Sequence, residues 1–121
     1  MQSRNEDACL PSNNDRSARI RQLNDALRTG NGEGQLLVTP GVLNLANGTL
    51  PVVIALLHGF DDFSDDNDPH GEHDFGAFNY RGEKLFWKIN YYDRSLRFGS
   101  DDPANPAITT RVLTLLLARE Y

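Results

Sequence analysis

The chain has 121 residues, with 12 Lys and Arg against 17 Asp and Glu and 39% hydrophobic residues, which suits one domain with one core. No apolar run approaches the roughly 20 residues that span a bilayer. The first residues lack the apolar stretch of a secretory signal, so the expected compartment is the cytoplasm. The single cysteine, Cys9, can form neither an internal disulfide nor a CxxC zinc site and is expected to be an incidental surface thiol. A net charge of −5 argues against direct nucleic-acid binding, where affinity comes from Lys and Arg neutralising phosphates.

Residues 1–14 read as a disordered polar tail, and residues 15–121 as a single α+β domain. A helix is predicted to start between Ser12 and Asp15, where several good N-caps compete. Ile20, Leu23 and Leu27 give it one narrow apolar stripe. Arg16, Arg19, Arg21 and Arg28 lie largely off that stripe, as a solvated face or a cationic partner surface. The glycines of residues 29–34 end the helix. Residues 35–39 read as a short strand and Pro40-Gly41 as a turn, while residues 42–47 fit either period. Thr49 is positioned to cap a second helix with Pro51 in its first turn, running to Gly59. His58, in its last turn, reads as structural.

Beyond residue 72 the apolar period becomes two, and segments 73–80, 83–92 and 95–99 predict an antiparallel meander. A three-residue loop, Tyr80-Arg81-Gly82, would pair Asn79 with Glu83, Phe75 with Trp87 and Asp74 with Lys88. A one-residue shift would set Phe75 against Lys88 and looks worse. The expected core face is Phe75, Ala77, Leu85, Trp87, Ile89, Tyr91, Leu96 and Phe98. The opposite face would carry Phe78, Phe86, Lys88, Asn90, Tyr92 and Arg97, with more aromatics than scatter explains. Asn105-Pro106 then suggests the start of a last helix. Ile108, Val112, Leu113, Leu115, Leu116 and Leu117 cover most of its circumference, so it is expected to be central. The predicted fold is a three- to four-stranded antiparallel sheet packed by two or three helices, the C-terminal helix among them.

Seven of the 17 acids fall between Phe60 and Phe75, in FDDFSDDNDPHGEHDF, leaving ten acids against 12 Lys and Arg elsewhere. The negative charge is therefore local. Three chemistries fit this stretch. The first is divalent-metal binding, by zinc or manganese: Asp68 is pushed towards an extended conformation by Pro69, and Gly71 permits a reversal. That geometry can converge Asp66, Asp68, His70 and His73 on one point. Neither calcium-loop frame works, because Ala77 or Phe63 falls where a carboxylate is required. HGEH also lacks the spacing of HExxH. The second is catalysis by clustered carboxylates and a histidine, as in a metal-dependent hydrolase. No nucleophile elbow, phosphate loop or second ligand cluster accompanies it, so an enzyme is the lesser expectation. The third is protein binding, with Asp61, Asp62 and Asp65 meeting a basic partner surface. Structural roles compete with all three: Phe60 and Phe63 can pin the preceding helix, and His73 can be a hydrogen-bonded, half-buried residue.

FDDFSDDNDPHGEHDFGAF, followed by LFWKINYYDRSLRFGSDDPANPAITTRVLTLLLAREY, resembles a small bacterial domain family of unknown function. Its members look like RIRxLNDxLR, then FDxFxxDNDPHGEHDFG, FWKIDYYD and TRVLTIMLAxEY. The resemblance covers roughly residues 18–121 and departs at Asn90, where the family usually has Asp. It implies a setting on proteobacterial plasmids and integrated elements. A protein inhibitor of a host nuclease complex, an anti-CRISPR or antirestriction protein, is what that setting suggests.

Overall fold

A computed structural model describes residues 13–121, so Cys9 and most of the expected tail lie outside the described residues. The elements are α1 (Asn13–Arg28), β1 (Gln35–Val38), α2 (Pro40–Ala46), α3 (Leu50–His58), β2 (Phe75–Tyr80), β3 (Glu83–Tyr92), β4 (Thr110–Leu117) and a closing 3-10 turn, Ala118–Glu120. The fold is α+β, with one four-stranded sheet ordered β1-β4-β3-β2. The β4–β3 and β3–β2 pairs are antiparallel, and β1 runs parallel to β4, so the sheet is mixed rather than purely antiparallel.

The expected C-terminal helix is the central strand β4. Its apolar residues are divided between two faces: Leu113, Leu115 and Leu117 are at most 1% exposed on the core side, and Val112 and Leu116 are 6% exposed on the other. A run buried on both faces has no two-residue alternation, so by period alone it reads as a buried helix. The β-branched Thr109, Thr110, Val112 and Thr114 tip the choice to strand. Asn105 caps only a turn, accepting from Ala107 N at 3.0 Å.

The core joins Val42 and Ala46 of α2, Val53 and Leu57 of α3 and Phe60 to Leu85, Trp87 and Ile89 of β3 and the inward residues of β4. Pro40-Gly41 opens α2 instead of turning the chain, with Thr39 Oγ1 capping Val42 N. Thr49 stands at the start of α3, but its hydroxyl serves elsewhere, donating to Ala46 O at 2.5 Å and lying 2.7 Å from Tyr80 OH.

The β2–β3 hairpin adopts the shifted register. Tyr80 pairs with Glu83 across a two-residue turn, and Phe75 pairs with Lys88. Arg81 and Gly82 both have positive φ, at 50° and 81°, the geometry that matches strand twist in a tight hairpin. Asp74 is therefore not opposite Lys88; its carbonyl accepts from Ile89 N at 2.8 Å. Gly76, rather than Phe75, lies opposite Trp87, and Phe78 and Tyr80 pack on the core. Phe75 instead meets Phe86 on the far face, ring centroids 5.1 Å apart. Tyr121 partly covers that face, its ring 5.6 Å from Phe86 and 5.0 Å from Lys88 Nζ.

No third meander strand forms at 95–99. The Asp93 carboxylate gathers Ser95 N, Ser95 Oγ and Arg97 N into a turn, and Leu96 takes φ +61°. A single bridge, Tyr92 to Gly99, remains. Leu96 and Phe98 are consequently exposed instead of buried.

Candidate functional site

The loop from Phe60 to Asp74 leaves α3 and returns as β2, and its sequence fixes it at both ends. Phe60 and Phe63 fold their rings edge-on against Trp87, at 5.4 and 6.1 Å. Ser64 and Asn67 close the next turn: Ser64 N donates to Asn67 Oδ1 at 2.9 Å, and Asp68 N donates to Ser64 O at 2.8 Å. The chain then reverses through Gly71 and His73, both at positive φ. The backbone N–H of His73 donates to Asp68 Oδ1 at 3.1 Å, which supports this conformation for a non-glycine residue.

His73 is the junction of the loop. Its Nδ1 lies 2.8 Å from Asp25 Oδ1 on α1, and its Nε2 faces Asp68 Oδ2 at 3.5 Å. Its ring stacks flat on Phe63, with centroids 3.6 Å apart and planes 4° apart. Arg28 completes the cluster, donating to Asp25 at 2.7 Å and lying over the Phe63 and Trp87 rings. One guanidinium, one imidazole and two carboxylates are thus interleaved between α1 and the loop, beside the Phe63 and Trp87 rings.

A second network runs beside it. Asn24 is fully buried and spends its amide on the Glu72 carbonyl at 3.0 Å and on Tyr91 OH at 2.8 Å. Tyr91 OH in turn donates to Glu72 Oε1 at 3.2 Å, and Arg111 Nε donates to Asn24 Oδ1 at 2.8 Å. Arg21 Nη1 reaches Gly71 O at 2.8 Å. Burial pushes the Tyr91 phenol far above its ordinary pKa, so it remains a proton donor. Burial likewise raises the carboxyl of Asp74.

The acidic residues therefore separate into two groups. Of the four candidate metal ligands, Asp68 and His73 meet, while Asp66 and His70 are exposed. Among the described residues, no group of three or more His, Cys, Asp or Glu side chains is placed to hold a metal ion. His73 Nδ1 is taken by Asp25, Nε2 faces Asp68 Oδ2 at 3.5 Å, and one ring face is covered by Phe63. Asp61, Asp62 and Asp65, with Asp66, are exposed, and no ion pair joins any of them to a described residue.

The anchors on α1 escape a reading by hydrophobic period. Asn24 and Arg28 occupy the i+4 and i+8 positions after Ile20, on the buried face, yet polar residues there read as solvated. The narrowness of the Ile20, Leu23, Leu27 stripe was the available signal: a helix docked by so few apolar groups needs polar partners too. The arginines divide: Arg19 is exposed, Arg16 pairs with Asp102 at 2.6 Å, Arg21 reaches the Gly71 carbonyl and Arg28 is 6% exposed.

The fold and loop define a small α+β domain with a one-sided helical layer and a rigidly anchored acidic loop. The model of a family described as protein of unknown function (DUF3768) matches residues 38–120, and the chain belongs to that family. The matched segment contains the whole loop and strands β2 to β4, whereas the α1 anchors and all of β1 but Val38 precede it. No curated protein and no solved structure matched the chain. No single helix among the described residues is long and apolar enough to cross a membrane.

Proposed function

We propose that this chain is a protein-binding domain whose contact surface is the acidic loop, with Asp61, Asp62 and Asp65 as its principal carboxylates. One observation carries the reading. These side chains are exposed and unpaired by any described residue, on a loop whose ends are fixed by Phe60, Phe63, Asp68 and His73. A loop already ordered loses little entropy on binding. Its localised charge would steer a basic partner surface into place. The partner class that the family resemblance suggests is a host nuclease complex, with the carboxylates standing where nucleic-acid phosphates would lie.

The test is the triple variant Asp61→Asn, Asp62→Asn, Asp65→Asn, compared with wild type in capture of host proteins at low and high salt. Partner capture should fall in the variant and in wild type at high salt, with the melting temperature unchanged. Equal capture by both proteins at low salt overturns the contact assignment. A plasmid-interference assay in cells with a nuclease-based defence tests the finer reading, in which wild type protects and the triple variant does not.

A further inference from the structure

On the side of α1 away from the acidic loop is a cavity of about 710 Å³, between α1, the residues entering β1, the 93–99 turn and the start of β4. Its volume lies in the range of small-molecule sites, roughly 300–1,000 Å³. Leu23, Ala26, Leu96 and Pro106 supply an apolar wall, and Arg94 and Arg111 supply two guanidinium groups against one carboxylate, Glu33.

Arg111 is the unusual member. It is 4% exposed, yet no ion pair joins it to a described residue. Its Nε donates to Asn24, its Nη2 donates to the Pro103 carbonyl, and its guanidinium lies over the Tyr91 ring. Nη1 has no hydrogen-bond partner among the described residues. Its direct partners are all neutral and the Glu72 carboxylate acts on it only through space, so an anion in the adjoining space would give this buried cation a direct counter-ion. Burial accordingly pushes the Arg111 pKa down.

Leu96 is the second, independent sign. It holds φ +61°, a conformation that a glycine or asparagine would take more easily, and it remains 46% exposed at the cavity. Turn geometry alone gives no reason for a leucine there, whereas an apolar wall does.

We infer that this cavity binds a small organic carboxylate with an apolar body, its carboxylate held by Arg111 and Arg94 and its body against Leu23 and Leu96. The site is separate from the acidic loop surface, although Asn24 ties Arg111 to the loop backbone at Glu72.

The experiment is calorimetric titration of the full chain with benzoate, hexanoate and decanoate, using decylamine and decanol as chain-matched controls. Saturable binding of at least one carboxylate is expected, with the controls weaker. Arg94→Gln should raise that Kd roughly tenfold, the loss expected for one charge-assisted hydrogen bond. Leu96→Gly should also weaken binding while retaining the fold, since glycine suits the left-handed backbone. Circular dichroism of both variants confirms folding. No saturable binding of any of the three carboxylates overturns the assignment, as does equal affinity for decylamine or an unchanged Kd in Arg94→Gln.

Discussion

Gly76 lies directly beneath Trp87 in the β2–β3 hairpin. A Cβ at this position would fall 2.6 Å from Phe60 Cζ and closer still to Trp87 Nε1. Neither ring can yield, because Trp87 is 0% and Phe60 9% exposed. Gly76→Ala is therefore expected to destabilise the domain by about 1–3 kcal/mol, the usual range for overpacking. Thermal unfolding would register this as a clear loss of melting temperature, and an unchanged value would show that the indole is free to shift.

The same contact explains the hairpin register. Alternation across 73–80 and 83–92 marked two adjacent strands, but a charge pair between Asp74 and Lys88 and an aromatic pair between Phe75 and Trp87 favoured the wrong alignment. Strand alternation is preserved along β3, so Leu85, Trp87, Ile89 and Tyr91 do share a face. On β2 every residue is on the face opposite to expectation. The deciding information was steric and turn-based: the space Trp87 requires, and two consecutive left-handed residues at Arg81-Gly82.

Asp25 neutralises Arg28 and orients His73 with a single carboxylate oxygen, at 2.7 and 2.8 Å. Asp25→Asn should weaken both contacts together and leave the Arg28 guanidinium, with 7% side-chain exposure, without its counter-ion. Charge-assisted hydrogen bonds contribute about 1.5–3 kcal/mol each, and partial exposure of Asp25 keeps the expected loss near the lower end. Asp61→Asn, on the exposed loop, should stay within about 0.5 kcal/mol of wild type. Denaturant titration of the two variants checks the contrast, and equal losses would contradict the separation of anchoring from exposed acids.

The loop shows where sequence reading stops. Its charge, its aromatic pins Phe60 and Phe63 and the reversal at Gly71 were all legible. Its attachment to α1 was not, because Asp25 and His73 are 48 residues apart and nothing local links them. The helix-to-strand correction at β4 has a different cause. Apolar residues on both faces erase the period that separates the two structures, and only the β-branched content remained as a guide.

Three surface carboxylates are held below their ordinary pKa values: Asp93 by the Ser95 hydroxyl, Asp102 by Arg16 and Glu120 by the Leu117 N–H. Such groups stabilise the fold above their unfolded values, 3.8 for Asp and 4.5 for Glu, and the contribution is lost as pH falls through the lower folded values. Asp74, raised by burial, has the opposite sign: its contribution is present below 3.8 and lost as pH rises through its folded value. With three groups against one, the melting temperature should fall as pH drops below 4.5. Asp102→Asn should flatten that fall by removing the charge that meets Arg16. A profile with the same slope in both proteins would contradict the role given to the Arg16–Asp102 pair.

Chelator and metal should leave stability unchanged. Asp68 and His73 are already committed to each other and to Asp25, and Asp66 and His70 point to solvent-exposed positions without a shared centre. A metal ion recruiting His73 would have to enter at Nε2, beside Asp68 Oδ2 at 3.5 Å, since Nδ1 is held by Asp25 at 2.8 Å, and no third His, Cys, Asp or Glu side chain among the described residues joins that pair to complete a site. Binding that did occur would be easy to see, because a ligand at a hundred times its Kd stabilises the folded state by about 2.7 kcal/mol. Melting of the purified chain in EDTA, and then with zinc or manganese added, is expected to give one temperature throughout. A rise with either metal that disappears in Asp68→Asn or His70→Asn would instead establish the divalent-metal reading of the DNDPHGEH segment.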